Sequence, residues 1–239
     1  MNRKIDKPYK EYNGSKEVNG LYQSIINLIP PHKTYIEPFV GNGCVFRMKK
    51  FAQRTVINDL DRSVYEKWVV LIDKFDYEDR QKISITNLPA RAVIDKYDCS
   101  SGLIDIFVYL DPPYLKSTRC YKPDIYKHEM TMKDHEDLLS RIRTVNFNCM
   151  ISCYDNELYS SMLNGWNKQH FKAITHRGKI TTETVYFNYQ APTVLHDYNY
   201  LGNDFIERQR IKRKIIRWTN RLKQLPALER NSIIESLIQ

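Results

Sequence analysis

The sequence predicts an α/β fold: a mainly parallel, twisted sheet with helices on both faces, an antiparallel hairpin at one edge, and a basic helical tail. Two observations predict the sheet. Short β-branched and aromatic runs alternate with segments of helical period as far as about residue 190, which implies right-handed crossovers between parallel strands. One run, "LIDIFVYL" at 103–110, is nearly all apolar, as a strand buried on both faces requires. The third observation concerns the tail: residues 203–239 carry nine Lys/Arg against four Asp/Glu, more than half of the net charge of +9.

The elements follow in order. "SKEVNGLYQSIINLI" (15–29) places Val18, Leu21, Ile25, Ile26 and Ile29 at helical spacing, with Ser15 as the N-cap. "TYIEPFVGNG" (34–43) reads as a strand entering a glycine-rich turn, and "CVFRMKKF" as the helix after it. A strand at 54–59, a helix at 61–75 and a short strand at 82–86 precede the buried strand. Thr131 with Asp134 three residues on marks a capped helix start, and "FNCMISCY", "HFKAIT" and "TVYFNYQ" supply three further strands. From Ile211 the apolar residues Ile215, Trp218, Leu222 and Leu225 recur at helical spacing, with Arg210, Arg213, Lys214, Arg217 and Arg221 on a neighbouring flank; Pro226 ends that helix and a short amphipathic one follows. The division this suggests is a catalytic domain over 1–202 and a basic helical tail over 203–239.

Composition narrows the functional classes. With 42% hydrophobic and 27% charged residues in 239, the chain can bury a substantial core. Its pI of about 9.2 suits a polyanionic partner. The five cysteines form no CxxC pair, so neither a structural metal nor a disulfide framework is expected. The N-terminal residues lack the apolar stretch of a signal peptide and no run of 18 apolar residues occurs, so the expectation is a cytoplasmic protein with no membrane partner.

Three stretches carry chemistry. Phe39-Val40-Gly41-Asn42-Gly43 lies between strand and helix, where glycines allow positive φ and close approach to a nucleotide-type ligand. The next strand ends in Asn58-Asp59, near the spacing at which such folds place an acid on ribose hydroxyls. At the tip of the buried strand stands Asp111-Pro112-Pro113-Tyr114. Two prolines fix φ and remove two backbone donors, leaving an outward carbonyl beside a carboxylate. That pair suits an amino group with two hydrogens to donate, and Tyr114 offers a ring for a base to stack on.

These residues resemble the DNA adenine methylase group of adenine-N6 methyltransferases (the D12 class). Asp111-Pro112-Pro113-Tyr114 matches that family's catalytic tetrad, and Tyr12-Asn13-Gly14-Ser15-Lys16 its N-terminal motif, in which Tyr12 and Lys16 contact the cofactor. Glu37-Pro38-Phe39-Val40-Gly41-Asn42-Gly43 matches its EPFxGxG, and Asp59 its ribose-binding acid. "STRCY", "DHEDLL" and "TETVYFNY" fall in family order. The resemblance implies a Rossmann-like S-adenosylmethionine-dependent methyltransferase fold. It also implies methyl transfer to the N6 of a flipped adenine in DNA, with S-adenosylhomocysteine as product. The same group methylating RNA, or a non-catalytic DNA-binding relative, are the alternatives. Asn87 is the candidate to meet the cofactor adenine, with Asp95 or Asp98 if the register differs.

One departure bears on specificity. The family inserts a recognition domain between the ribose acid and the tetrad, whereas only 51 residues separate Asp59 from Asp111. Contacts to nucleic acid are therefore expected from Lys116, Arg119 and Lys122 after the tetrad, from Arg177, and from the tail residues Arg210, Arg213, Lys214, Arg217 and Arg221. The tail's apolar face is also a candidate to pair with a partner subunit or a second copy.

Overall fold

A computed structural model describes residues 5–10, 16–17, 20–98, 105–119, 125–174 and 180–238. Strands β1 (Thr34–Glu37), β2 (Arg54–Asn58), β3 (Ile83–Thr86), β4 (Ile106–Leu110), β5 (Asn148–Tyr154), β6 (Asn167–Ile174) and β7 (Ile180–Phe187) form one seven-stranded sheet. Its order is β3-β2-β1-β4-β5-β7-β6. Strands β1 to β5 pair in parallel, and β7 runs antiparallel between β5 and β6. The expected hairpin is present, with β6 rather than β7 at the edge.

The core explains the register. All five residues of β4 are at most 1% exposed, as are Ile36, Ile57 and Ile151 on neighbouring strands. Each such side chain contributes roughly 1.5–3 kcal/mol by leaving water, and a one-residue slip would exchange the two faces of every strand. The helices are α1 (Leu21–Ile26), α2 (Cys44–Met48), α3 (Arg62–Ile72), α4 (Tyr77–Arg80), α5 (Ala90–Asp98), α6 (Met132–Ile142) and α7 (Glu157–Met162). Thr131 and Asp134 close the capping box of α6 reciprocally, and Asp61 caps α3 by accepting from the Ser63 amide.

Helix α1 corrects the expected helix over 15–29. It begins only at Leu21, after Gly20 in the left-handed conformation (φ 69°), and ends at Ile26. Leu28 and Ile29 are still buried, so their apolar spacing reflects packing rather than helix. Ser15, the expected cap, lies outside the described residues.

The chain divides into two compact units, residues 1–197 and 198–239. The second contains α8 (Phe205–Gln224), capped by Asp204 through the Glu207 amide, and α9 (Ala227–Ile238). In α8 the five flank cations are exposed, and Ile215, Ile216 and Trp218 are about half exposed. Among the described residues no helix is long and apolar enough to cross a membrane, and no cluster of three His, Cys, Asp or Glu could hold a metal.

Candidate active site

The strand order reverses between β1 and β4, and a crevice opens there beyond the carboxyl ends of the parallel strands, where open α/β sheets bind ligands. A cavity of about 1190 Å³ occupies it. That lies just above the roughly 300–1,000 Å³ typical of a small-ligand pocket.

The glycine turn forms one wall. Gly41 and Gly43 adopt positive φ of 46° and 59°. The reason for Gly43 is internal: a Cβ there would stand 2.7 Å from Trp68 Cζ2. The Trp68 indole nitrogen also donates to the Gly41 carbonyl at 2.8 Å. Asp59 holds the turn from the other side, accepting from the Gly41 amide through Oδ2 and the Asp61 amide through Oδ1, each at 2.9 Å. Burial raises the Asp59 pKa although those two amides oppose the shift. The side chain of Asn42 pairs reciprocally with the Tyr9 backbone at 2.9 and 3.0 Å. Tyr9 thereby reaches the cavity wall, an aromatic that sequence reasoning missed in favour of Tyr12, which lies outside the described residues.

At the end of β1, Glu37 is 2% exposed and accepts from the Tyr35 hydroxyl at 2.6 Å. Burial raises its pKa to about 8. A folded pKa above the unfolded one means that the folded state holds the extra proton between about pH 4.5 and 8. The stability this gives is complete below that window and lost as pH rises through it. Glu37→Gln should therefore gain on the wild type as pH rises from 5 to 8, by an amount on the order of a few kcal/mol. Urea unfolding at several pH values reads this directly; parallel curves for the two proteins would contradict the assignment.

The tetrad forms the opposite wall. Lys16 Nζ donates to both Asp111 carboxylate oxygens, at 2.6 and 2.7 Å. The same ammonium lies 3.3 Å from Glu183 Oε1 and 4.9 Å above the Tyr114 ring. The Tyr114 hydroxyl donates to Glu183, and its ring meets Tyr154 edge-on at 4.6 Å. Burial lowers the Lys16 pKa, but Asp111 and Glu183 outweigh it, and the net result lies well above the usual lysine value. Glu183, the first residue of this cluster that sequence reasoning missed, is 3% exposed, and burial pushes its pKa up despite Lys16. Tyr114 is only 7% exposed, so the open stacking face expected for it is mostly covered.

Of the expected cofactor residues, Lys16, Glu37, Phe39, Gly41, Asn42 and Gly43 line the cavity, with Asp59, Asp111, Pro113 and Tyr114. Pro38 and Pro112 are not among its lining residues. Asn87 has a different task, since its amide donates to the Asp59 and Leu60 carbonyls at 2.7 and 3.0 Å and fixes the strand end instead of facing a ligand. Asp95 and Asp98 bind Arg141. The neighbouring wall is instead built from Leu60, Pro89 and Ala90.

Arg119 also departs from expectation. Its side chain is 6% exposed and bridges inward, to Glu129 at 2.8 Å and to the Tyr114 carbonyl. Glu129 accepts in addition from the Ile125 and Tyr126 amides, both at 2.8 Å. A guanidinium so engaged pins the loop after the tetrad rather than reaching for phosphate. Lys116 is exposed at the start of a 3₁₀ turn, Lys116–Thr118. Lys122 and Arg177 lie outside the described residues.

The residues present fit S-adenosylmethionine: carboxylates for hydroxyls at Asp59 and Asp61, apolar surface for a ring at Leu60 and Pro89, and further charged groups at Lys16 and Asp111. The fold is Rossmann-like, with its cavity where such folds bind nucleotide-type ligands. Residues 12–91, about a third of the chain, match the family model of the D12 class N6 adenine-specific DNA methyltransferases. That span includes Lys16, the glycine turn and Asp59, and stops short of the tetrad.

A solved structure with a TM-score above 0.5 agrees on the fold. The catalytic domain of hMettl16, in complex with MAT2A 3'UTR hairpin 6, superposes with a TM-score of 0.51 at 12% identity, over 80% of this chain and 77% of that one. A conserved hypothetical protein of Streptococcus pyogenes gives 0.49 at 17% identity, over 75% and 100%. The putative methyltransferase yhhF of Escherichia coli gives 0.46 at 12%, over 78% and 92%. No curated protein matches the sequence.

Proposed function

We propose that this chain transfers the methyl group of S-adenosylmethionine to the exocyclic N6 of adenine in DNA. The observation that carries the reading is the meeting, across one cavity, of the glycine turn with Asp59 on one wall and Asp111, Pro113 and Tyr114 on the other. When bound, the cofactor supplies an electrophilic methyl on a sulfonium. The residues of the chain do the rest. Asp59 and Asp61 would accept from ribose hydroxyls, while Leu60, Pro89 and Ala90 cover the cofactor's ring. Asp111, which lines the cavity, would accept a hydrogen of the substrate amino group. The amino lone pair, otherwise delocalised into the purine, is thereby aimed at the methyl; orientation of this kind accounts for several kcal/mol of barrier. An adenine inside a duplex cannot reach such a cavity, so the base is flipped out at a cost of a few kcal/mol.

The basic flank of α8 supplies phosphate affinity in this reading, and the half-exposed Ile215, Ile216 and Trp218 offer a face for a second copy. Among the described residues, the stretch from Asp59 to Asp111 is used by α3, α4, β3, α5 and β4, with no separate recognition domain. Purified protein given labelled S-adenosylmethionine with duplex DNA, single-stranded DNA or RNA of one sequence tests the proposal. Label recovered as N6-methyladenine in DNA supports it. Label confined to RNA would replace DNA as substrate, and cofactor binding without transfer to any polymer would leave a non-catalytic relative.

A further inference from the structure

We propose that Glu183 is a positioning residue of this site: with Asp111 it holds the Lys16 ammonium between two carboxylates, and by accepting from the Tyr114 hydroxyl it fixes the tetrad's ring. The inference rests on the methyl-transfer reading and adds to it a residue from the antiparallel half of the sheet.

The topology explains how Glu183 gets there. Because β7 runs antiparallel beside β5, it contributes its beginning at the edge where the parallel strands contribute their ends, and Glu183 pairs with Tyr154. Tyr154 in turn packs against Tyr114. A carboxyl 3% exposed within a strand is costly unless its partners are strong. Glu183 meets two groups of the site: Lys16 at 3.3 Å, from the N-terminal segment, and the Tyr114 hydroxyl. A carboxyl present only to complete the sheet would have no reason to join those two groups.

The consequence concerns Asp111. Lys16 sits on both of its oxygens, the atoms that the substrate amino group must share. With Glu183 drawing on the same ammonium, Lys16 is divided between two acceptors and Asp111 keeps capacity for the substrate. Without that charge Lys16 settles wholly on Asp111. Tyr109, whose hydroxyl meets Ser152 at 2.9 Å, and Tyr114 also face Lys16, and Cys44, Tyr126 and Cys153 lie close enough to feel its charge.

The test uses Glu183→Gln and Glu183→Asp in the full chain, with two readouts. Single-turnover methylation should slow about 10- to 100-fold in Glu183→Gln, the scale of a small misplacement of reacting groups, with cofactor affinity retained. Independently, competitive acylation of Lys16 followed by mass spectrometry across pH should show its reactive form appearing at lower pH than in the wild type. Glu183→Asp keeps the charge and should recover much of both, which a packing role would not predict. Wild-type rates together with a wild-type acylation profile in Glu183→Gln would overturn the proposal. Should Glu183→Gln not fold, Glu183→Asp decides alone: acylation unchanged from wild type supports a role for the charge, and early acylation counts against it. A wild-type protein that methylates no adenine while the acylation shift persists would sink the methyl-transfer reading and leave the coupling of Glu183 to Lys16 intact.

Discussion

Replacing Asp111 with alanine is expected to lower methyl transfer by at least about 10²- to 10³-fold, the scale on which removal of one preorganised polar group at a reacting centre is felt. Two effects must be separated, because Asp111 also holds a buried cation. Lys16 is 4% exposed and contacts both Asp111 oxygens. Stripping a buried ion of its partner costs roughly 3–5 kcal/mol in general. Here Glu183 remains 3.3 Å away, so the loss should fall below that range and the protein should fold. Combining Asp111→Ala with Lys16→Met removes the cation as well and leaves Glu183 buried with the Tyr114 hydroxyl. That double variant should therefore be no more stable than Asp111→Ala in thermal unfolding and should regain none of the activity. If instead the double variant methylated adenine at near the wild-type rate, Asp111 would have served only to neutralise Lys16, and its role as acceptor for the amino group would be lost.

What could be read from the sequence divides along a physical line. Features encoded within a few residues were legible: the apolar run of β4, the glycine turn, and the Thr131–Asp134 capping box, each of which has its cause beside it in the chain. Features that depend on a distant partner were not. Arg119 in a basic loop reads as a phosphate contact until Glu129 folds back onto it. Asn87 stands where a ligand contact is expected, but its amide satisfies two carbonyls left open where β2 ends. Glu183 reads as an ordinary polar residue of a strand, because Lys16, its partner, belongs to the opposite end of the domain. Three helices escaped notice for different reasons. Helices α4 and α7 span four and six residues, too short for their period to stand out. Helix α5 carries Val93, Ile94 and Tyr97 at helical spacing behind Pro89, a signal present in the sequence and passed over.

Neutralising the α8 flank tests where affinity for the polymer comes from. Arg210, Arg213, Lys214, Arg217 and Arg221 follow one flank of the helix at steps of three and four residues, with Arg213 and Lys214 adjacent, and all five are exposed. The stripe covers about 16 Å of helix at 1.5 Å per residue, a length over which one DNA strand presents several phosphates. Internal contacts compete weakly: Arg210 meets Glu207 at 3.2 Å in an exposed pair, and Arg221 lies 5.5 Å from the Trp218 ring centre. An exposed pair of that kind contributes about 0–1 kcal/mol, well below what counterion release at a phosphate returns in low salt. If all five cations engage, the slope of log K against log salt should flatten by about 4–5 in the five-fold glutamine variant of the full chain. Binding at low salt should weaken by orders of magnitude, while the adenines that are methylated stay the same, because phosphate contacts carry no direct base information. Fluorescence anisotropy across a salt series, with sequencing of the methylated product, measures both. A changed choice of adenines with an unchanged salt slope would mean that these residues read bases, and the source of phosphate affinity would then have to be sought in the first unit.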